Sequence, residues 1–172
     1  SLKNTVYPFE YNNFIQLKKI VEVHEIGVIK MEVKRNFEKK NNFLQKVRKL
    51  ANDKKIVLIF DECTSGFRQT FGGLHKHYKI NPDIAIFGKA LGNGHAINAI
   101  IGKKAVMESC NATFISSTFW TERVGPTAAL ATLDVMEKNK SWEIVTNIGK
   151  KIKKKWKIIS DSNKLDLEIR GI

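Results

Sequence analysis

The chain has 172 residues, 42% hydrophobic and 27% charged, the balance of a soluble globular domain with a sizeable core. It contains no run of roughly 18 apolar residues, which argues against a transmembrane helix and a membrane partner, and its two cysteines, Cys63 and Cys110, are too few for a disulfide scaffold. The formal net charge of +13 raises a nucleic-acid partner, but the lysines are spread along the chain apart from one run at Lys150, Lys151, Lys153, Lys154, Lys155 and Lys157.

Taken in order, Ser1-Leu2-Lys3-Asn4 has neither a starting Met nor an apolar leader, so a fragment is expected. Neither cysteine belongs to a CxxC pair, and a reducing, cytoplasmic setting fits them. Gly27 to Val33 reads as a short β-branched strand. Asn41 to Asp53 carries Phe43, Leu44, Val47, Leu50 and Ala51 at helical spacing. Ile56 to Phe60 is a continuous apolar run, which suits a central strand buried on both faces. It ends at Asp61-Glu62 and the turn Thr64-Ser65-Gly66. Gly73 to Tyr78 is a candidate short helix, and Asn81-Pro82-Asp83 a turn. Ile84 to Phe87 is a second buried strand, ending at Gly88-Lys89 and a loop with Gly92 and Gly94.

Further strands are expected at Ile97 to Ile101, at Thr113 to Ser117, and at the edge from Leu165 to Ile172. Pro126 to Glu137 is a helix with proline in its first turn. Trp142, Val145, Ile148, Ile152, Trp156 and Ile159 then mark the apolar seam of an amphipathic helix, and the lysine run covers its wet faces. With only Trp156 among those lysines, a solvated face is the better reading than a nucleic-acid surface. Strands alternate with helices, so the class is α/β with a mostly parallel sheet.

Ligands of such sheets gather beyond the carboxyl ends of the strands, a rule that selects Asp61-Glu62 and Gly88-Lys89. A lysine with the core behind it is expected to be partly desolvated, which favours the neutral amine that a Schiff base needs. A carboxylate nearby can pair with a protonated pyridine nitrogen. Spacing alone leaves a plainer alternative open, with Asp61 capping a turn and Lys89 on the surface. His75-x-His77 has metal-ligand spacing, but no third ligand stands at usable distance in sequence, and His24 and His95 are scattered, so no metal is expected.

The wording around the pair goes further. Leu58-Ile59-Phe60-Asp61-Glu62-Cys63-Thr64-Ser65-Gly66-Phe67-Arg68, and then Pro82-Asp83-Ile84-Ala85-Ile86-Phe87-Gly88-Lys89-Ala90-Leu91-Gly92-Asn93-Gly94, resembles the cofactor signature of class III aminotransferases dependent on pyridoxal 5'-phosphate (PLP), and Asp61 and Lys89 match in order and in their 28-residue separation. With the Phe71-Gly72-Gly73 stretch between them, the segment is similar to the glutamate-1-semialdehyde 2,1-aminomutase branch. The resemblance implies the large domain of fold type I PLP-dependent transferases, in part, with helices on both faces of the sheet. On that basis residues 1–140 are the C-terminal part of the cofactor domain, and 141–172 a linker helix and the start of a small domain. It also implies a homodimer in the full-length protein.

Position by position, the resemblance implies that Lys89 bonds the cofactor as a Schiff base and shuttles a proton, and that Asp61 pairs with the pyridine nitrogen. Cys63 stands where the family has Val, Ile or Ala, and packs against the ring. Counting back from Pro126 puts Thr121 on the threonine that reaches the phosphate in the neighbouring subunit; Trp120 replaces the family's Gly there, and Thr118 is the second candidate. Arg68 and His95 are weaker candidates for the substrate. Glu32 matches a Glu that the family follows with Pro, here Val33, and its role stays open. The phosphate cup and the stacking ring lie before the Asp motif in the family, and the 60 residues preceding Asp61 contain no such loop. The implied reaction moves an amino group from a donor to an aldehyde or keto acceptor. The alternative is intramolecular transfer giving 5-aminolevulinate; Thr118 to Arg123 departs from the aminomutase wording and tilts the reading toward an aminotransferase.

Overall fold

The structure is a computed structural model that describes residues 3–34, 36, 40–116 and 118–171. Four short strands form one sheet in the order β1 (Val28–Met31), β2 (Val57–Asp61), β3 (Ile84–Phe87) and β4 (Ala99–Gly102). The first three run parallel, with Ile29 opposite Leu58 and Phe60 opposite Ala85; β4 turns back antiparallel, Phe87 opposite Ala99. The expected α/β class with a mostly parallel sheet is therefore the observed one.

Helices fill the crossovers. α1 (Phe14–Val23) precedes β1 and has no counterpart among the expected elements, although Phe14, Leu17 and Val21 stand at helical spacing. Its start is fixed by Asn13, whose side chain accepts the Gln16 N–H at 3.1 Å. α2 (Phe43–Asp53) joins β1 to β2 and places Phe43, Leu44, Val47 and Ala51 on one buried stripe. Asn41 and Asn42, in the left-handed region at φ 49° and 55°, turn the chain into it, a conformation Asn tolerates better than most residues. The single turn α3 (His75–Tyr78) lies between β2 and β3. After β4 come α4 (Lys104–Met107), a 3-10 segment, α5 (Val124–Asn139) and α6 (Ser141–Ser162).

The main core joins α1, α2, β1 and β2 through Leu17, Ile29, Met31, Phe43, Leu44, Val47, Leu58 and Phe60. Full burial of each such side chain contributes about 1.5–3 kcal/mol. A smaller cluster of Ala85, Phe87, Leu91 and Ala129 ties β3 to α5. At the amino end of β3, buried Asp83 accepts from the Leu58 N–H, from Arg48 of α2 and from Lys103, each at 2.8 Å, pinning β2, α2 and the start of α4 together.

Three expectations need correction. β2 is buried on one face only: Leu58 and Phe60 face the core, while Val57, Ile59 and Asp61 are half-buried, because the core elements cover the side of the sheet to which alternate residues point. Thr113 to Ser116 is not a strand: the Thr113 N–H and hydroxyl both return to the Cys110 carbonyl, and Phe114 is exposed (Ser117 lies outside the described residues). Leu165 to Gly171 is not a strand either (Ile172 lies outside the described residues). The Ser160 hydroxyl donates to the Leu165 carbonyl at 2.6 Å and the Leu165 N–H to the Ser160 carbonyl at 2.9 Å, which folds the segment back on α6.

The lysine run does lie on α6, mostly exposed, but the seam it flanks is also half-exposed, with Val145, Ile148, Ile152, Trp156 and Ile159 at 45–52%. Among the described residues no helix is long and apolar enough to cross a membrane.

Candidate active site at the carboxyl ends of the strands

Parallel pairing sets Asp61, the last residue of β2, beside Ile86, so that Gly88 and Lys89 emerge from β3 just beyond it. The two exits approach closely: a Cβ added at Gly88 would fall 2.8 Å from Cys63 Sγ and would also collide with the Asn98 side chain. A larger residue there would have to displace the Cys63 or Asn98 side chain, so glycine is favoured by contact rather than by backbone angle. Lys89 opens a 3-10 turn with φ at 44°, a left-handed conformation that costs a residue bearing a side chain about 1–2 kcal/mol. Its Nζ donates to Thr64 Oγ1 at 2.6 Å.

Asp61 is held as a carboxylate. Its Oδ1 accepts the Cys63 N–H at 3.2 Å, and its Oδ2 lies 3.0 Å from Lys30 Nζ, which reaches across from β1. Burial pushes its proton affinity up, but the Lys30 ammonium, the Cys63 N–H and the positive charge of Lys89 outweigh that and leave its pKa below the ordinary value of 3.8.

Strand alternation sends the next residue the other way. Glu62 is fully buried, and its carboxylate accepts from the Ser65 hydroxyl at 3.0 Å, from the Leu74 N–H, and from the His75 N–H at 3.0 Å, with His75 Nδ1 at 2.5 Å. Glu62 thus anchors the turn that carries the Gly72-Gly73 pair. His75 is engaged there, and His77 stacks edge-on against Tyr78. Among the described residues no three His, Cys, Asp or Glu side chains form a metal cluster.

The expected residues divide clearly. Asp61, Cys63 and Lys89 converge. Arg68 stays on the same loop, its Nε donating to the Thr64 carbonyl at 2.7 Å. His95 and Thr121 are exposed, and among the described residues no hydrogen bond or ion pair joins either to Asp61 or Lys89. Thr121 precedes α5, whose start packs on the loop after Lys89: a Cβ on Gly125 would sit 2.7 Å from the Ala96 carbonyl. The expected desolvation of Lys89 is not observed; the side chain is exposed, because the 3-10 turn lifts it off the end of β3 and away from the core.

Two contributors went unread in the sequence. Lys30 is the one charged residue in the strand Val28-Ile29-Lys30-Met31, on the exposed side of the β1 alternation, a signal that was available. Thr64 gives no signal of its own, since its partner lies 25 residues away.

The family model described as "Aminotransferase class-III" matches residues 36–172. The 3-aminobutyryl-CoA aminotransferase of Cloacimonas acidaminovorans (strain Evry) is 36% identical over 162 residues, covering 87% of this chain and 38% of that protein. The glutamate-1-semialdehyde 2,1-aminomutase of Nitrosopumilus maritimus (strain SCM1) is 36% identical over 147 residues, covering 81% and 34%. The chain therefore spans little more than a third of the length of these relatives. Among solved structures, the FumI protein of Sphingopyxis sp. MTA144, in its PLP internal aldimine form, superposes with a TM-score of 0.89 at 24% identity over 96% of this chain and 42% of that one. Ornithine aminotransferase PY00104 of Plasmodium yoelii gives 0.85 at 21% identity over 98% and 46%. Both share the fold. With a family match over most of its length, and with a lysine and an aspartate meeting at the ends of adjacent parallel strands, the chain belongs to the class-III aminotransferase family.

Proposed function

We propose that the chain is the cofactor-anchoring part of a PLP-dependent aminotransferase, with Lys89 as the lysine that bonds the cofactor and Asp61 as the partner of its ring nitrogen. The observation that carries this reading is the convergence of an accessible amine and an ionised carboxylate on the exits of β3 and β2. The donor set suits the group: Asp61 is already held in the charged form that a protonated ring nitrogen needs, and the approach of Gly88 to Cys63 leaves only a small side chain between the two exits. When bound, PLP supplies an electron sink for the amino-bearing carbon of the substrate. Lys89 Nζ is the atom that takes up and returns a proton, and Thr64 Oγ1 orients it. Cys63 backs the ring, while Thr121, Arg68 and His95 remain candidates for phosphate and substrate contacts.

The substrates on this reading are an amino donor and an aldehyde or keto acceptor, handled in the cytoplasm by a homodimer of the full-length protein. The division of the chain near residue 140 finds support in Lys140, whose left-handed backbone separates α5 from α6. The aminomutase reading draws its support from a relative of that name at the same 36% identity as the aminotransferase. A substrate panel on the full-length protein separates them: transfer to a keto acid without 5-aminolevulinate formation excludes the aminomutase.

The cofactor assignment is tested by loading the chain with PLP, reducing with borohydride and mapping the labelled peptide. Label on Lys89, lost in Lys89→Ala, is the expected result. Label distributed over many lysines, unchanged in Lys89→Ala, would overturn the assignment.

A further inference from the structure

Asp61 has two oxygens, and both are already taken. Oδ1 accepts the Cys63 N–H, a backbone bond that stays as long as the turn after β2 stays. Oδ2 is occupied by Lys30 Nζ at 3.0 Å. A ring nitrogen approaching Asp61 therefore meets a cation already seated on Oδ2, the oxygen not committed to the backbone. The side chain of Lys30 is 57% exposed and that of Asp61 27%, so this ion pair opens to solvent and can exchange. The charged groups that act on Asp61 come from two elements, Lys30 from β1 and Lys89 from the turn after β3. Lys89 is held by Thr64 instead, leaving Lys30 as the only cation paired directly with Asp61 among the described residues.

We propose that Lys30 is a positioning residue that competes with the cofactor's ring nitrogen for Asp61, keeping the carboxylate paired while the site is empty and leaving it on loading. The inference rests on the PLP reading above and adds to it a residue outside the Asp61–Lys89 signature. Its physical content is an exchange of one cation for another. An ammonium on Oδ2 must be returned to water before a protonated pyridine nitrogen can bind there, and an ammonium left nearby repels that proton. Removing the amine should therefore strengthen loading, the opposite of what removal of an ordinary binding residue does. Because the pair is partly solvated, the effect is small, about two- to fivefold in dissociation constant.

The test compares the full chain with Lys30→Met and Lys30→Arg. PLP binding is followed by absorbance, with the labelled lysine mapped after reduction, and the Asp61 carboxyl is titrated by carbon NMR without PLP. Expected are tighter PLP binding in Lys30→Met by that factor, near wild-type binding in Lys30→Arg, label on Lys89 throughout, and a higher Asp61 titration midpoint in Lys30→Met alone. Equal or weaker PLP binding by Lys30→Met, with Lys89 still labelled, overturns the exchange and leaves the cofactor reading standing. An unmoved Asp61 midpoint, or label on Lys30 itself, overturns it as well. Loss of specific loading in every chain, with Lys89 unlabelled, overturns the cofactor reading and the exchange with it.

Discussion

Replacing Asp83 with Ala should be among the most damaging single changes in this domain, although Asp83 takes no part in the proposed chemistry. The change strands two buried partners at once. The Leu58 N–H, near the start of β2, loses its side-chain acceptor, and Arg48, only 15% exposed at its side chain, loses the carboxylate 2.8 Å from its guanidinium. Arg48 Nε already lacks a partner, and the one other acceptor of its Nη1, the Asn81 carbonyl, stands at a long 3.5 Å. Removing one member of such a buried pair costs about 3–5 kcal/mol. Lys103, the third partner, is 57% exposed and adds at most about 1 kcal/mol. Asp83→Asn keeps an acceptor for Leu58 while losing the charge, so its cost should fall near 2 kcal/mol, in the range for hydrogen bonds to charged groups. Urea unfolding followed by tryptophan fluorescence is the assay. With a slope of about 2 kcal/mol per molar, Asp83→Ala should lower the midpoint by roughly 1.5–2.5 M and Asp83→Asn by about 1 M. A loss below about 1 kcal/mol for Asp83→Ala, or equal losses for the two variants, would refute the reasoning.

Acid should unfold the chain through the same groups. Asp83 and Asp61 both have folded-state pKa values below the ordinary 3.8: burial raises each, and hydrogen bonds and nearby cations more than compensate. Their stabilisation is therefore complete above the unfolded value and is lost as pH falls through the lower folded values; the thermal midpoint should drop below about pH 4, and less steeply in Asp83→Asn. Glu62→Gln should destabilise the turn carrying Gly72-Gly73 by about 2–3 kcal/mol, because the amide offers one acceptor oxygen where the carboxylate serves four donors on two. Faster hydrogen exchange at Leu74 and His75 would report it, and unchanged exchange there would count against the role given to Glu62.

The elements legible in the sequence were those whose cause is local. The apolar runs Ile56 to Phe60 and Ile84 to Phe87 became β2 and β3 because a run of that length bounded by charge and turn residues has little else to do. Phe43, Leu44, Val47 and Ala51 made α2 for the same reason. The final strand failed because alternation at Leu165, Leu167 and Ile169 specifies a face without specifying a neighbour, and Ser160 supplied a closer partner for the backbone. At the site, Asp61 and Lys89 were readable through their positions at strand ends. The exposure of Lys89 and the Thr64 hydroxyl were not, and although Lys30 stood out as the lone charge of its strand, its pairing with Asp61 was not readable, since each depends on how two strands or a turn and a strand are set side by side.

The short path from Asp61 to Lys89 bears on when the site can exist during folding. Asp61, Cys63, Thr64 and Lys89 all belong to or directly flank one crossover, β2 through the short α3 to β3, and none of their mutual contacts spans more than 28 residues. Closing a loop of that length costs only modestly more entropy than closing one half as long, about 0.6 kcal/mol. The amine and carboxylate can thus be brought together as soon as this single unit pairs, before the antiparallel return of β4 or the docking of α5. The ion pair with Lys30 arrives on a separate schedule, since it waits for β1 to join the sheet. A chain released slowly from its amino end would hold Lys30 in readiness first and present Asp61 to it before Lys89 has appeared, so the carboxylate would enter the growing sheet already paired.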